Sequence, residues 1–106
     1  MGIDDQTLKE IVQRILSVAK PDKIILFGSA ATGRMTRDSD IDLLIIEPEI
    51  TDERIEYARI RTALGDIRRP FDILFIATQW FEDSKDVIGG IAYPANKYGR
   101  VIYAAA

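Results

Sequence analysis

Neither cysteine nor histidine occurs anywhere in this chain of 106 residues. Without cysteine there is no disulfide and no thiolate metal site. Without histidine, Ser-His and Cys-His nucleophilic catalysis and His-ligated zinc are excluded. Any metal ion must then be held by oxygen, which favours Mg²⁺ or Mn²⁺. No apolar run approaches the roughly 20 residues of a membrane span. The start, Met1 to Gln6, lacks the basic-then-apolar pattern of a secretory signal. A cytoplasmic protein with no membrane association is therefore expected. Positive charge is also in short supply, with 14 Lys and Arg against 17 Asp and Glu and a net charge of −3. That balance argues against a protein that coats nucleic acid through its phosphates. What remains is a globular composition, 47% hydrophobic and 29% charged, long enough for one domain over residues 1–106.

Leu8, Ile11, Val12, Ile15, Leu16 and Ala19 recur at three- and four-residue steps, which predicts an amphipathic helix over about residues 6–19. Lys23 to Phe27 and Ile41 to Ile46 are short apolar runs rich in isoleucine and read as strands. Gly28 and Ser29 close the first of these, and Glu47-Pro48 stops the second. Asp52 or Thr51 can cap a helix carrying Ile55, Tyr57, Ile60, Ala63 and Leu64. Phe71 to Ile76 reads as a third strand interrupted by one charge, Asp72. A last helix capped by Asp83 or Ser84 must be kinked or broken by Gly89, Gly90 and Pro94. Gly99 is placed to cap it, and Val101 to Tyr103 can form a short edge strand. Helices alternating with short apolar strands give an α/β (α+β) layer in which helices pack on a small sheet.

The chemistry concentrates between residues 28 and 42. Alternation along a strand points Asp40 and Asp42 the same way. Carboxylates so close repel each other, and a divalent cation resolves the conflict. If the Phe71 strand pairs beside the Ile41 strand, Asp72 joins them, and three carboxylates suit in-line displacement at phosphorus. Gly28 allows close backbone approach to a phosphate. Ser29 stands where a helix would open, and its hydroxyl with the following N–H groups can hold an anion. Arg34 and Arg37 lie in the connecting loop, where a solvated role and a phosphate role are equally open. A Gly-Ser at this distance from Asp-x-Asp arises by chance in roughly one chain in a thousand of this length. The bland alternative is a strand-ending turn followed by an Asp-Ser-Asp turn cluster.

Gly28-Ser29, ten further residues, Asp40-x-Asp42 and the later Asp72 resemble the nucleotidyltransferase superfamily that includes DNA polymerase β. Gly33, the run Ser39 to Leu43 and the ending Tyr98 to Tyr103 are similar to its minimal nucleotidyltransferase (MNT) branch. The resemblance covers about Ile24 to Tyr103. Many relatives carry arginine just before the second glycine, where this chain has Thr32. The resemblance implies a small mixed sheet flanked by helices, a polymerase β palm-like fold. It implies transfer of a nucleoside monophosphate, AMP from ATP, to a hydroxyl. Asp40, Asp42 and Asp72 are then the metal-binding and catalytic residues, and Gly28, Ser29 and Gly33 the nucleotide-binding ones. It also implies a helical HEPN-type partner in a toxin–antitoxin pair, with this chain as the antitoxin that AMPylates the toxin, in a homo- or hetero-oligomer.

Two other functions compete. The chain can be a non-catalytic antitoxin that covers its partner, since Trp80, Phe81, Tyr93 and Tyr98 are residue types that suit an interface centre. The opposing reading, favoured for Tyr93 and Tyr98, is that they fill the core. It can also be one subunit of an aminoglycoside-type nucleotidyltransferase, although such enzymes carry an additional acceptor-holding domain or an extended dimer.

Overall fold

A computed structural model describes residues 3–28, 31, 40–65, 67 and 69–105. Helix α1 (Asp5–Leu16) begins where the Asp4 carboxylate accepts from the Thr7 N–H at 2.7 Å, a side-chain cap on an otherwise unsatisfied donor. It ends at Leu16, capped by Ser17, three residues short of the periodic pattern's last apolar position, Ala19. Strands β1 (Lys23–Phe27) and β2 (Ile41–Glu47) pair antiparallel. Helix α2 (Glu53–Ala63) is capped by Asp52, whose carboxylate accepts from Arg54 N and Ile55 N. It leads to β3 (Phe71–Ala77), which lies parallel to β2. Asp83 and Ser84 do not open a helix as expected: they end α3 (Thr78–Ser84), which starts directly after β3 with no side-chain cap, and the remainder of the expected helix is the short α4 (Ala92–Tyr98). Gly89 and Gly90 sit between them at φ +128° and +67°, backbone that side-chain-bearing residues rarely adopt. Strand β4 (Arg100–Ala104) follows and pairs antiparallel with β1.

The sheet order is β3-β2-β1-β4, a mixed sheet with both edges open among the described residues. Its two faces bury separate clusters. On one, Ile24, Leu26, Ile41, Leu43, Ile45 and Ile73 pack with Leu8, Ile11 and Ile15 of α1 and Ile60 of α2. On the other, Ile25, Leu44, Ile46 and Ile76 pack with Phe81 of α3 and Ala92 and Ala95 of α4. Strand β2 is thus covered on both faces, which is why its sequence is a near-continuous apolar run. Phe81 is fully buried in this second cluster, so it is core and no part of an exposed interface.

One polar group is buried with the apolar ones. Glu47 extends β2 one residue beyond the expected stop and is only 6% exposed. Among the described residues, its Oε1 and Oε2 of Glu56 are buried without hydrogen-bond partners. Burial pushes the Glu47 carboxyl up to about 7, and the Glu56 carboxyl beside it adds to the shift. Arg59 pairs with Glu56 Oε1 at 3.5 Å and opposes it. No helix among the described residues is long and apolar enough to cross a membrane.

Candidate functional site

The acidic residues lie at the end of the sheet where β1 finishes and β2 and β3 begin. Parallel pairing sets Asp42 directly beside Asp72, and partners in such a ladder project from the same face. That face is the one covered further along by α3 and α4, because Leu44, Ile46 and Ile76 share its parity. Asp40 immediately precedes β2 and is exposed, as is Asp72, whereas Asp42 is half-buried. Burial raises the Asp42 carboxyl above its ordinary value, and the negative charges of Asp72 and Asp40 push it further. Both other expected carboxylates therefore act electrostatically on Asp42. Among the described residues, no three acidic side chains are drawn together tightly enough to form a ready-made metal cage. Asp42 and Asp72 are the adjacent pair, and Asp40 reaches Asp42 through its charge.

Gly28 closes the other side. It follows Phe27, the register partner of Asp42 across β1 and β2, and takes φ +69°. A Cβ built on Gly28 would overlap Asp42 Oδ2. The glycine is therefore required twice over, by its left-handed backbone and by the carboxylate packed against it. The turn continues with Ala31 N donating to Gly28 O at 3.2 Å. Ser29, Gly33, Arg34 and Arg37 lie outside the described residues.

The expected C-terminal cap borders this end. Gly99, the C-cap of α4, has extended backbone, yet a Cβ there would overlap Ala95 O and press on Ile25 Cγ2 at 2.6 Å and Leu26 O at 3.1 Å. Glycine is needed here for close approach, and it pins the end of α4 to the end of β1. Tyr98 beside it is 61% exposed, so it does not fill the core. Lys97 Nζ lies 5.6 Å from the Tyr93 ring centroid and 5.5 Å from that of Tyr98, and donates to Tyr93 Oη at 3.2 Å. These are cation–π distances.

Chemically, the donor set at Asp40, Asp42 and Asp72 is hard oxygen of concentrated negative charge, which fits Mg²⁺ or Mn²⁺ and not a soft metal. The repulsion that lifts the Asp42 carboxyl is what a divalent cation would relieve.

Solved structures share the arrangement of elements. One is the crystal structure of a toxin–antitoxin with AMP-PNP, with TM-score 0.71 and 16% identity, covering 92% of this chain and 73% of that one. Another is a toxin–antitoxin MntA-HpeT mutant in which two aspartates two positions apart are glutamate. It has TM-score 0.67 and 15% identity and covers 92% of this chain and 73% of that one. At such identities the likeness establishes the fold. No curated protein matches the sequence. The model of the nucleotidyltransferase domain matches residues 6–91, a span holding all but the first residue of α1, strands β1 to β3, α2 and α3, and the chain belongs to that family.

Proposed function

We propose that this chain is a metal-dependent nucleotidyltransferase that moves AMP from ATP to a hydroxyl on a HEPN-type partner, acting as the antitoxin of a toxin–antitoxin pair. The observation that carries the reading is the in-register pair Asp42 and Asp72 with the Gly28 turn held against Asp42. Membership of the nucleotidyltransferase-domain family supports the reaction class. The toxin–antitoxin neighbours support the partner, and the AMP-PNP in one of them supports an adenine nucleotide.

In this reading Asp40, Asp42 and Asp72 hold Mg²⁺, which when bound neutralises phosphate charge and acidifies the acceptor hydroxyl. The acceptor oxygen bonds to the α-phosphorus while the bond from that phosphorus to the bridging oxygen breaks, and pyrophosphate leaves. Asp72, the more exposed of the strand pair, takes the acceptor's proton. Gly28 admits the triphosphate close to the backbone, and Ser29 and Gly33 clamp its β- and γ-phosphates. Rate comes mainly from positioning and from charge placed where the transition state needs it. The test is incubation with labelled ATP, Mg²⁺ and the product of the neighbouring gene. Label should appear on the neighbour and vanish with Asp42→Asn. Equal labelling by both proteins, or none by either, removes the enzymatic reading.

One observation favours a second reading, a binding protein that neutralises its partner by covering it. Trp80 is 69% and Ile88 84% exposed, with Val87 beside them, and they border a shared cavity with Asp83, Gly89 and Gly90. Exposed aromatic and aliphatic side chains around a concavity suit a protein interface. Retained protection of cells by Asp40→Asn and Asp42→Asn variants would favour this reading over transfer.

A further inference from the structure

We infer that Tyr98, steadied by Lys97 and Tyr93, forms the wall that receives the base of a nucleoside triphosphate whose phosphates lie over Asp42 and Asp72. The inference rests on the nucleotidyltransferase reading above and assigns the part of the substrate that the acidic end leaves unheld.

Register supplies the geometry. Asp72 pairs with Asp42, Asp42 with Phe27, and Leu26 with Arg100. Gly99 immediately precedes Arg100, so the row Asp72, Asp42, Phe27 across three strands runs on toward Gly99 at the entrance to β4. Strands lie about 4.8 Å apart, which sets the Gly99 backbone roughly 10 Å from that of Asp42. Phe27 packs on the same cluster as Ile25 and Leu44, so it shares a face with both aspartates and floors the space between them and α4. Tyr98 ends α4 at the far side of this floor and stays on that face, because Ala92 and Ala95 of the same helix are buried there.

The chemistry of the cluster suits a base. Tyr98 leaves 61% of its surface open, although an aromatic ring in so small a chain gains most from burial. Its ring carries the Lys97 ammonium, which in turn donates to Tyr93. The ring is thus restrained before any ligand arrives, and pre-ordering lowers the cost of stacking. Every nucleobase has a π-face, so stacking here favours a nucleotide over bare phosphate without choosing among bases. The ammonium also places positive charge beside a site that otherwise presents three carboxylates to an anionic substrate.

The experiment compares Mg·ATP with Mg·tripolyphosphate by calorimetry on wild type, Tyr98→Ala and Tyr98→Phe, with melting curves for each. Tyr98→Ala should weaken Mg·ATP roughly ten- to hundredfold and leave Mg·tripolyphosphate unchanged, while Tyr98→Phe keeps both affinities. Melting temperatures should stay alike, because the side chain is exposed. Unchanged Mg·ATP affinity in Tyr98→Ala, or equal weakening of both ligands, overturns the wall and leaves the nucleotidyltransferase reading standing. If wild type binds neither ligand, both fall together.

Discussion

Replacing Glu47 by glutamine should stabilise the protein in alkaline solution and do nothing in acid. The carboxyl rises from 4.5 to about 7 because β2 carries it under α2, opposite Glu56. The folded state therefore prefers the protonated form. Its stabilising contribution is complete below about 4.5 and is lost as pH climbs through about 7. The shift corresponds to at most about 3 kcal/mol. Hydration and relaxation around the site reduce it, so about 1–2 kcal/mol is expected. Glutamine copies the shape of the protonated acid and cannot ionise. In a domain of this size the variant should melt about 5–10 °C above wild type at pH 8 and level with it only near or below about pH 4. Melting both proteins across that range isolates the one group, since every other titration is common to the pair. A gap of equal size at both ends, or none at pH 8, refutes the buried-acid account.

Three further outcomes are expected. Asp42→Asn should abolish AMP transfer yet raise the apo melting temperature near pH 7, because burial and the Asp72 and Asp40 charges all disfavour the ionised carboxylate there. The gain should fade as pH falls and the wild-type acid takes its proton. A lower melting temperature would show that Asp42 is structural. Gly28→Ala should cost about 1–2 kcal/mol from its left-handed backbone alone and further displace the Asp42 carboxylate. Denaturant unfolding and Mg·ATP calorimetry on that variant should both show losses, and wild-type behaviour in either would contradict the packing described. Mg²⁺ should stabilise the wild type by about 2.7 kcal/mol at a hundredfold excess over its dissociation constant, the melting temperature continuing to rise with the logarithm of its concentration. Asp42→Asn should lose most of that response, measured in the same scan.

The acidic end was legible because local rules suffice for it. A lone aspartate in an apolar run marks β3, and alternation supplies the expectation that Asp40 accompanies Asp42. The pairing of Asp42 with Asp72 needed one further assumption, that the two strands are neighbours. Glu47 escaped notice because a charge before Pro48 reads as the end of a strand. Only the packing of α2 across that end buries it, and that is a tertiary event. Lys97 escaped for a related reason, and Tyr98, for which the core was the favoured reading, is exposed. Gly89, Gly90 and Pro94 obscured the periodicity of the last third, where the chain makes two short helices. The close approach of Gly99 to β1 joins segments distant in sequence. Ser29 and Gly33 remain expectations drawn from the motif.

The side-by-side placement of the two strand aspartates also dictates where the gene can tolerate changes of length. Because successive residues of a strand face opposite ways, adding a single codon between Asp72 and Ile73 would turn Asp72 toward the α1 and α2 layer and dismantle the acidic pair. The stretch from Pro48 to Thr51 carries no such parity. Natural or engineered length variation should therefore collect in that connection and spare the strand.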